Sequence, residues 1–351
     1  MKAGWRKFPF LDAVDDVSGG NIKTPQSEFL PEGRFAVVDQ GKDLIAGFLN
    51  EESRLCQATL PVIVFGDHTR CFKYVDFPFC IGADGVKVLR PKIEMDVKYL
   101  YYYLRQLRLT EGGYDRHFKY LKRSEVLIPL LEEQKRIVEI LDQADELRVK
   151  RGATLTQIDA LAQAIFLDLF GDPVSNPRDW PQENLETFFH FQTGKLDSNA
   201  AVPTGQFPFF TCSREDSRID TYAFDCEALL LAGNNASADY SVKYYKGKFN
   251  AYQRTYVITL QNESNSYKYA RFVLEHYLAY LKRISKGTNT KYLTMELLNR
   301  ISVPVPPEPL QRDFSNRVEI VEKLKATHKA SLAKMDMLFA SLQYRAFHGE
   351  L

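Results

Sequence analysis

The chain has 351 residues, 46 basic and 45 acidic, so its net charge is +1, and 45% of it is hydrophobic. This length predicts two or more domains, and the composition excludes a disordered chain, a collagen-like one and a uniformly basic nucleic-acid module. The opening MKAGWRKFPFLDAVDD has no apolar signal core and no run of about 18 apolar residues follows, so a soluble, cytoplasmic protein without membrane contact is expected. The five cysteines, Cys56, Cys71, Cys80, Cys212 and Cys226, show no CxxC spacing and read as reduced thiols rather than a disulfide framework or zinc site.

In chain order, residues 1–127 form a first large segment with 19 basic and 17 acidic residues. The runs FAVV (35–38), PVIVFG (61–66) and VKVL (86–89) predict strands, 96–108 a helix, and SEVLIP (124–129) a last strand. Residues 128–172 read as one long helix with 5 basic and 9 acidic residues. FGDPVSNPRDWP (170–181), with a glycine and three prolines, reads as a linker. A second large segment, 177–303, carries 15 basic and 13 acidic residues. It repeats the pattern, with strands at ALLLAG and TYVITL, a helix over 268–284 and a final RISVPVP strand. Residues 304–351 read as a second long helix. The fold class expected is α+β, with two similar mixed units separated by two long antiparallel helices in pseudo-two-fold arrangement.

The strongest signal is an internal repeat. Residues 129–170 recur, without a gap, as 306–347 at an offset of 177: Pro129 with Pro306, Gln134 with Gln311, Leu147 with Leu324, Leu161 with Leu338, Phe170 with Phe347. Both copies show alternating three- and four-residue spacing, the pattern of a coiled-coil seam. The packing positions are Ile137, Leu141, Leu155, Ile158, Ile165 and Leu169 in the first copy, and Phe314, Val318, Leu332, Met335, Phe339 and Leu342 in the second. Both seams are broken at equivalent steps, by Arg148 and Arg151 and by Lys325 and His328. Prolines precede each helix and Gly171 and Gly349 follow them, as helix starts and stops require.

No GxxxxGK[ST] phosphate loop, HExxH, Cys/His cluster or strand-to-helix cofactor fingerprint with an NPPY-like tetrapeptide is present, so no catalytic or metal-ligating residue is assigned. Polar loops instead suit nucleic acid. Cations meet phosphates, and Arg, Lys, Asn and Gln read base edges. The stretch before the first long helix supplies Arg116, His117 and Lys119; the one before the second supplies Lys286, Thr288, Asn289 and Lys291. Lys243 and Arg254 lie in the aromatic-basic run DYSVKYYKGKFNAYQRT, and Lys23 and Lys195 end equivalent glycine-containing turns. Solvated helix ends would account for such charges singly; their duplication favours DNA.

The entry IPLLEEQKRIVEILD (128–142), its degenerate copy VPPEPLQRDFSNRVEIVEKL (305–324), the FGD and FHGE endings and the GTNTKYLTMELLNRISVPVPP stretch resemble the specificity subunits of type I restriction–modification enzymes. The resemblance covers almost the whole chain, although the second copy lacks the EEQ of the first. It implies two target recognition domains, 1–127 and 177–303, each reading half of a bipartite site in double-stranded DNA, with the helices setting the gap. Two methyltransferase subunits and motor–nuclease subunits would be partners. S-adenosylmethionine, ATP and Mg²⁺ would belong to those partners and no cofactor to this chain. The competing readings are an S-like subunit of another modification or phage-defence complex, a structural coiled-coil adaptor, and a nuclease hidden in residues 1–127.

Overall fold

The computed structural model describes residues 4–83, 85–109, 116–287 and 289–351. The chain divides into two compact units, Met1–Gly152 with Ala330–Leu351, and Ala153–Lys329. Each unit therefore combines one large segment with one end of each long helix, so neither helix stands as a domain of its own.

In the first unit, strand Arg6–Pro9 pairs antiparallel with Glu125–Ile128, the strand that leads into the first long helix. A four-stranded sheet has the order Val14–Asp16, Val86–Pro91, Val62–Gly66, Phe72–Val75. A second has the order Lys23–Thr24, Phe79–Gly82, Phe35–Val38, Gly47–Leu49. Helix Val97–Gln106 covers the first sheet, and Asp96 caps it by accepting from the backbone N–H groups of Lys98 and Tyr99. In the second unit the corresponding strands form one six-stranded sheet: Phe189–Thr193, Thr255–Leu260, Phe224–Ala232, Val242–Ala251, Phe207–Phe210, Ser217–Ile219. The strand and helix expectations all fall on observed elements.

The difference between the sheets has a local cause. Val242–Ala251 runs ten residues and pairs first with Phe224–Ala232, then in parallel with Phe207–Phe210. In the first unit the same path is cut between Phe72–Val75 and Phe79–Gly82. Pro78 lies in the gap. A proline has no N–H to give a ladder and fixes its own φ, so the strand breaks there and one sheet becomes two.

The long helices, Leu131–Phe170 and Glu308–His348, have 40 and 41 residues. At a rise of 1.5 Å per residue each is about 60 Å long. They end at Gly171 and Gly349, whose φ values of 76° and 74° are left-handed and cost glycine little. Within each unit the two helices run antiparallel. In the second, Asp159 meets Lys325, while Phe166 and Phe170, further along, meet Phe314. In the first, Arg148 binds Asp336 at 2.7 Å and stacks over Phe339. The offset of 177 carries Arg148 to Lys325 and Asp159 to Asp336. The breaks at Arg148 and Lys325 are thus one cross-helix ion pair, made once in each unit.

All twelve expected packing positions are at least half-buried. Ile137, Leu141, Ile158, Phe314, Val318 and Phe339 are fully buried; Leu155, Ile165, Leu169, Leu332, Met335 and Leu342 are partly so. Phe166, off that stripe, is fully buried among Phe170, Tyr269, Phe272 and Phe314. The helix Tyr267–Ile284 supplies two of these rings, so the apolar face widens beyond a two-helix seam. One 18-residue stretch of the first long helix is apolar and carries few charges. By length and composition alone it is long enough to cross a bilayer, which the sequence reading did not expect.

A buried glutamine fastens each unit together. Gln134 accepts from the backbone N–H of Asp96 at 2.8 Å and donates to the Pro129 carbonyl at 2.9 Å. Gln311 accepts from the backbone N–H of Ser266 at 3.0 Å and donates to the Pro306 carbonyl at 2.9 Å. Asp96 and Ser266 are the caps of the two shorter helices. One side chain thus ties the start of a long helix to the start of the helix that covers the sheet, twice.

Candidate nucleic-acid interface

In the second unit several loops converge at one rim. Strand Asn234–Asn235 pairs with Lys291–Tyr292, and Lys286 bridges Tyr292. Arg254 accepts through its carbonyl from the Gly233 N–H at 2.8 Å, and its guanidinium lies 5.4 Å from the Tyr292 ring. Leu196 pairs in parallel with Tyr252, which brings Lys195 beside the same turn. Lys195, Arg254, Lys286, Asn289 and Lys291 are therefore gathered, all exposed except the half-buried Lys291. Thr288 lies outside the described residues. Lys286 binds Glu296 at 3.2 Å, and that bond, with Arg300 nearby, holds the Glu296 carboxyl below the usual carboxylate range.

The first unit holds equivalent positions with different chemistry. Lys23 precedes Thr24, which pairs in parallel with Gly82 as Leu196 does with Tyr252, so Lys23 and Lys195 correspond. Gly85 accepts from the Asp67 N–H at 2.7 Å in the place of Arg254. Gly85 has a φ of +90°, a backbone that an arginine would adopt only with strain. Arg116 and Lys119 are exposed on either side of His117.

Two sequence candidates are held by the fold. His117 is 5% exposed, and its N–H donates to the Asp67 carbonyl as that of Leu293, 3% exposed, donates to Gly233. It fills a core position, which takes its ring out of reach of a groove. Asp67 fixes the turn further by accepting from the Phe118 N–H at 2.7 Å. Lys243 bonds the Ser213 carbonyl at 2.8 Å and Asp216 at 2.7 Å. Its counterpart Lys73, opposite Val64 as Lys243 is opposite Leu230, bonds the Asp39 carbonyl at 2.8 Å and is 5% exposed. Both lysines brace a loop. Sequence reasoning missed Asn234 and Asn235, because nothing local shows that they pair with residues 58 and 56 positions away, Tyr292 and Lys291. Among the described residues no three His, Cys, Asp or Glu side chains gather to hold a metal.

Comparison with known proteins places the chain. Residues 26–158 and 177–335 each match the family described as "Type I restriction modification DNA specificity domain". The chain belongs to this family, the specificity subunits of type I restriction–modification systems. It is 34% identical over 179 residues to the type I restriction enzyme EcoDI specificity subunit of Escherichia coli, covering 50% of this chain and 39% of that protein. It is 32% identical over 132 residues to the EcoR124I/EcoR124II specificity subunit of the same organism, covering 34% of this chain and 33% of that protein. The matched stretch thus spans well under half of those relatives. The S subunit from M. genitalium shares the fold, with a TM-score of 0.61 and 17% identity over 99% of this chain and 98% of that one.

Proposed function

We propose that this chain is the non-catalytic DNA-recognition subunit of a type I restriction–modification assembly. Each unit reads one half of a bipartite site in double-stranded DNA, through the rim just described. The observation that carries this reading is a scaffold made twice with different chemistry at the same rim. Gly85 stands where the other unit has Arg254, and His117 where it has Leu293, while the hydrogen bonds that hold both turns are kept. A repeated frame with unlike edges suits two different half-sites. Lys23, Arg116 and Lys119 serve the first, and Lys195, Arg254, Lys286, Thr288, Asn289 and Lys291 the second. Cations position the phosphates and Asn289 reaches a base edge.

The partners are two methyltransferase subunits, with motor–nuclease subunits joining them. S-adenosylmethionine, ATP and Mg²⁺ reside in those partners, and the assembly works in the cytoplasm. Two repeat-related pairs of leucines support a partner for each repeat. Leu147 and Leu324 are 56% and 42% exposed, and Leu161 and Leu338 are 45% and 56% exposed, beside further exposed apolar residues of the same helices such as Val149, Ile320 and Met337.

Methylome sequencing tests the reading. Replacing residues 177–303 with the same segment of a relative is expected to change one half of the methylated motif and leave the other. A change in both halves would refute the division. Asn289→Ala is expected to cost about 1–3 kcal/mol on the cognate duplex and relax one motif position.

A further inference from the structure

The two adjacent asparagines of the second rim have different tasks. Asn235 shapes its own turn: its side-chain oxygen accepts from the Ser237 N–H at 2.9 Å, the Ser237 hydroxyl at 3.0 Å and the Asp239 N–H at 3.1 Å. Asn234 is also half-buried, but among the described residues its side chain makes no hydrogen bond.

Register decides where each side chain faces, because residues directly opposite across an antiparallel ladder share one face. Asn234 lies opposite Tyr292, and Tyr292 lies opposite Lys286 along its other edge, so Asn234, Tyr292 and Lys286 share a face. Asn235 and Lys291 share the opposite one. Arg254 joins the first group, its guanidinium 5.4 Å from the centre of the Tyr292 ring. The exposed ring thus has the Asn234 amide on one flank and a guanidinium over it.

The backbone is pinned on both sides of Asn234. The Gly233 N–H donates to the Arg254 carbonyl at 2.8 Å, the Gly233 carbonyl accepts from the Leu293 N–H at 2.8 Å, and Asn235 is fixed by its turn. A rigid frame that holds out an unengaged amide suits a base edge, since little ordering has to accompany contact. The same frame in the first unit presents other chemistry. The Asp67 N–H donates to the Gly85 carbonyl and the Asp67 carbonyl accepts from the His117 N–H, so His68 stands where Asn234 does and Arg116 where Tyr292 does.

We propose that Asn234 reads an adenine of the second half-site, its amide donating to N7 and accepting from the N6 amino group in the major groove. The proposal rests on the DNA-recognition reading above and adds a second base-reading residue beside Asn289. Its test uses the assembled methyltransferase, methylome sequencing and two duplexes of equal length, one carrying the methylated motif and one scrambled. Asn234→Ala is expected to weaken the motif duplex about 5- to 150-fold and to relax one A·T position in the half assigned to residues 177–303. The scrambled duplex, the salt slope and the thermal midpoint stay as they were, because no phosphate contact and no internal hydrogen bond is lost. Asn234→Asp, of the same size but able only to accept, is expected to lose adenine and favour cytosine, whose N4 amino group donates. An unchanged motif in both variants overturns the proposal. So does an equal loss on both duplexes with a lowered thermal midpoint, which marks a merely structural asparagine, and so does a second half-motif without an A·T pair. If the unaltered assembly fails to distinguish the two duplexes, the DNA-recognition reading itself falls, which is a separate result.

Discussion

Replacing Gln134 or Gln311 by methionine isolates the repeated fastening. Methionine matches glutamine in length and volume, so the buried space stays filled. What is lost is one accepted and one donated hydrogen bond at each site, to Asp96 and Pro129 or to Ser266 and Pro306. Both glutamines are 1% exposed, so water cannot replace those bonds. Each orphaned backbone group costs about 1–3 kcal/mol, and two make roughly 2–6 kcal/mol per substitution. For units of this size, roughly 3 kcal/mol lowers the thermal midpoint by about 6–12 °C. Calorimetry of both single variants gives the answer. Gln311 also donates to Asn265 at 3.0 Å, so its substitution is expected to cost at least as much as that of Gln134. A cost under about 1 kcal/mol at either site would falsify the argument that these side chains, rather than the apolar seam, lock each short helix to its long one.

Phe314→Ala, at a ring packed on three others, is expected to cost about 3–5 kcal/mol, whereas half-buried Leu155→Ala and Leu332→Ala stay at or below the lower end of the 2–5 kcal/mol range for leucines; denaturant titration that ranks them equally refutes the widened seam. Lys325→Ala, removing an exposed ion pair, costs no more than about 1 kcal/mol and less at high salt, whereas Arg148→Ala, which also loses Asp145 and the stacking over Phe339, costs about 1–2 kcal/mol and keeps part of that cost at high salt. Burial pushes Tyr277 up to about 12 from 10.0. The folded state keeps a proton that the unfolded chain releases, so this contribution is complete below pH 10 and disappears as pH rises from 10 to about 12. Stability measured against pH over that window is expected to fall less steeply in Tyr277→Phe; an unchanged slope would discount the tyrosine.

Much of this architecture is written locally. β-branched and aromatic runs fix the strands, proline and glycine bracket the long helices, and the offset of 177 exposes the duplication. The seam breaks at Arg148 and Lys325 were visible as defects, but only the antiparallel crossing shows that each defect meets the acid that repeats it. Phe166 was missed because its burial comes from a helix a hundred residues later. The rim was half legible. Charge drew attention to Lys286, Asn289 and Lys291, yet the same criterion chose His117 and Lys243. A ring in a leucine's place and an ammonium bracing a loop look no different in sequence from free ones.

The break at Pro78 bears on how each unit opens. In the second unit, Val242–Ala251 threads the whole six-stranded ladder, so amides from Phe189 to Ile219 share one protecting framework and exchange with solvent as a block. In the first, the sheet holding Lys23 and Val37 shares no strand with the sheet holding Ile63 and Leu89. The two are joined by side chains instead: Val38, Phe79 and Ile81 of one pack with Val62, Val64, Val75 and Val88 of the other in one buried core. The loop carrying Lys23 is thus held to the first unit by packing between two sheets, where its counterpart at Lys195 borders one continuous ladder.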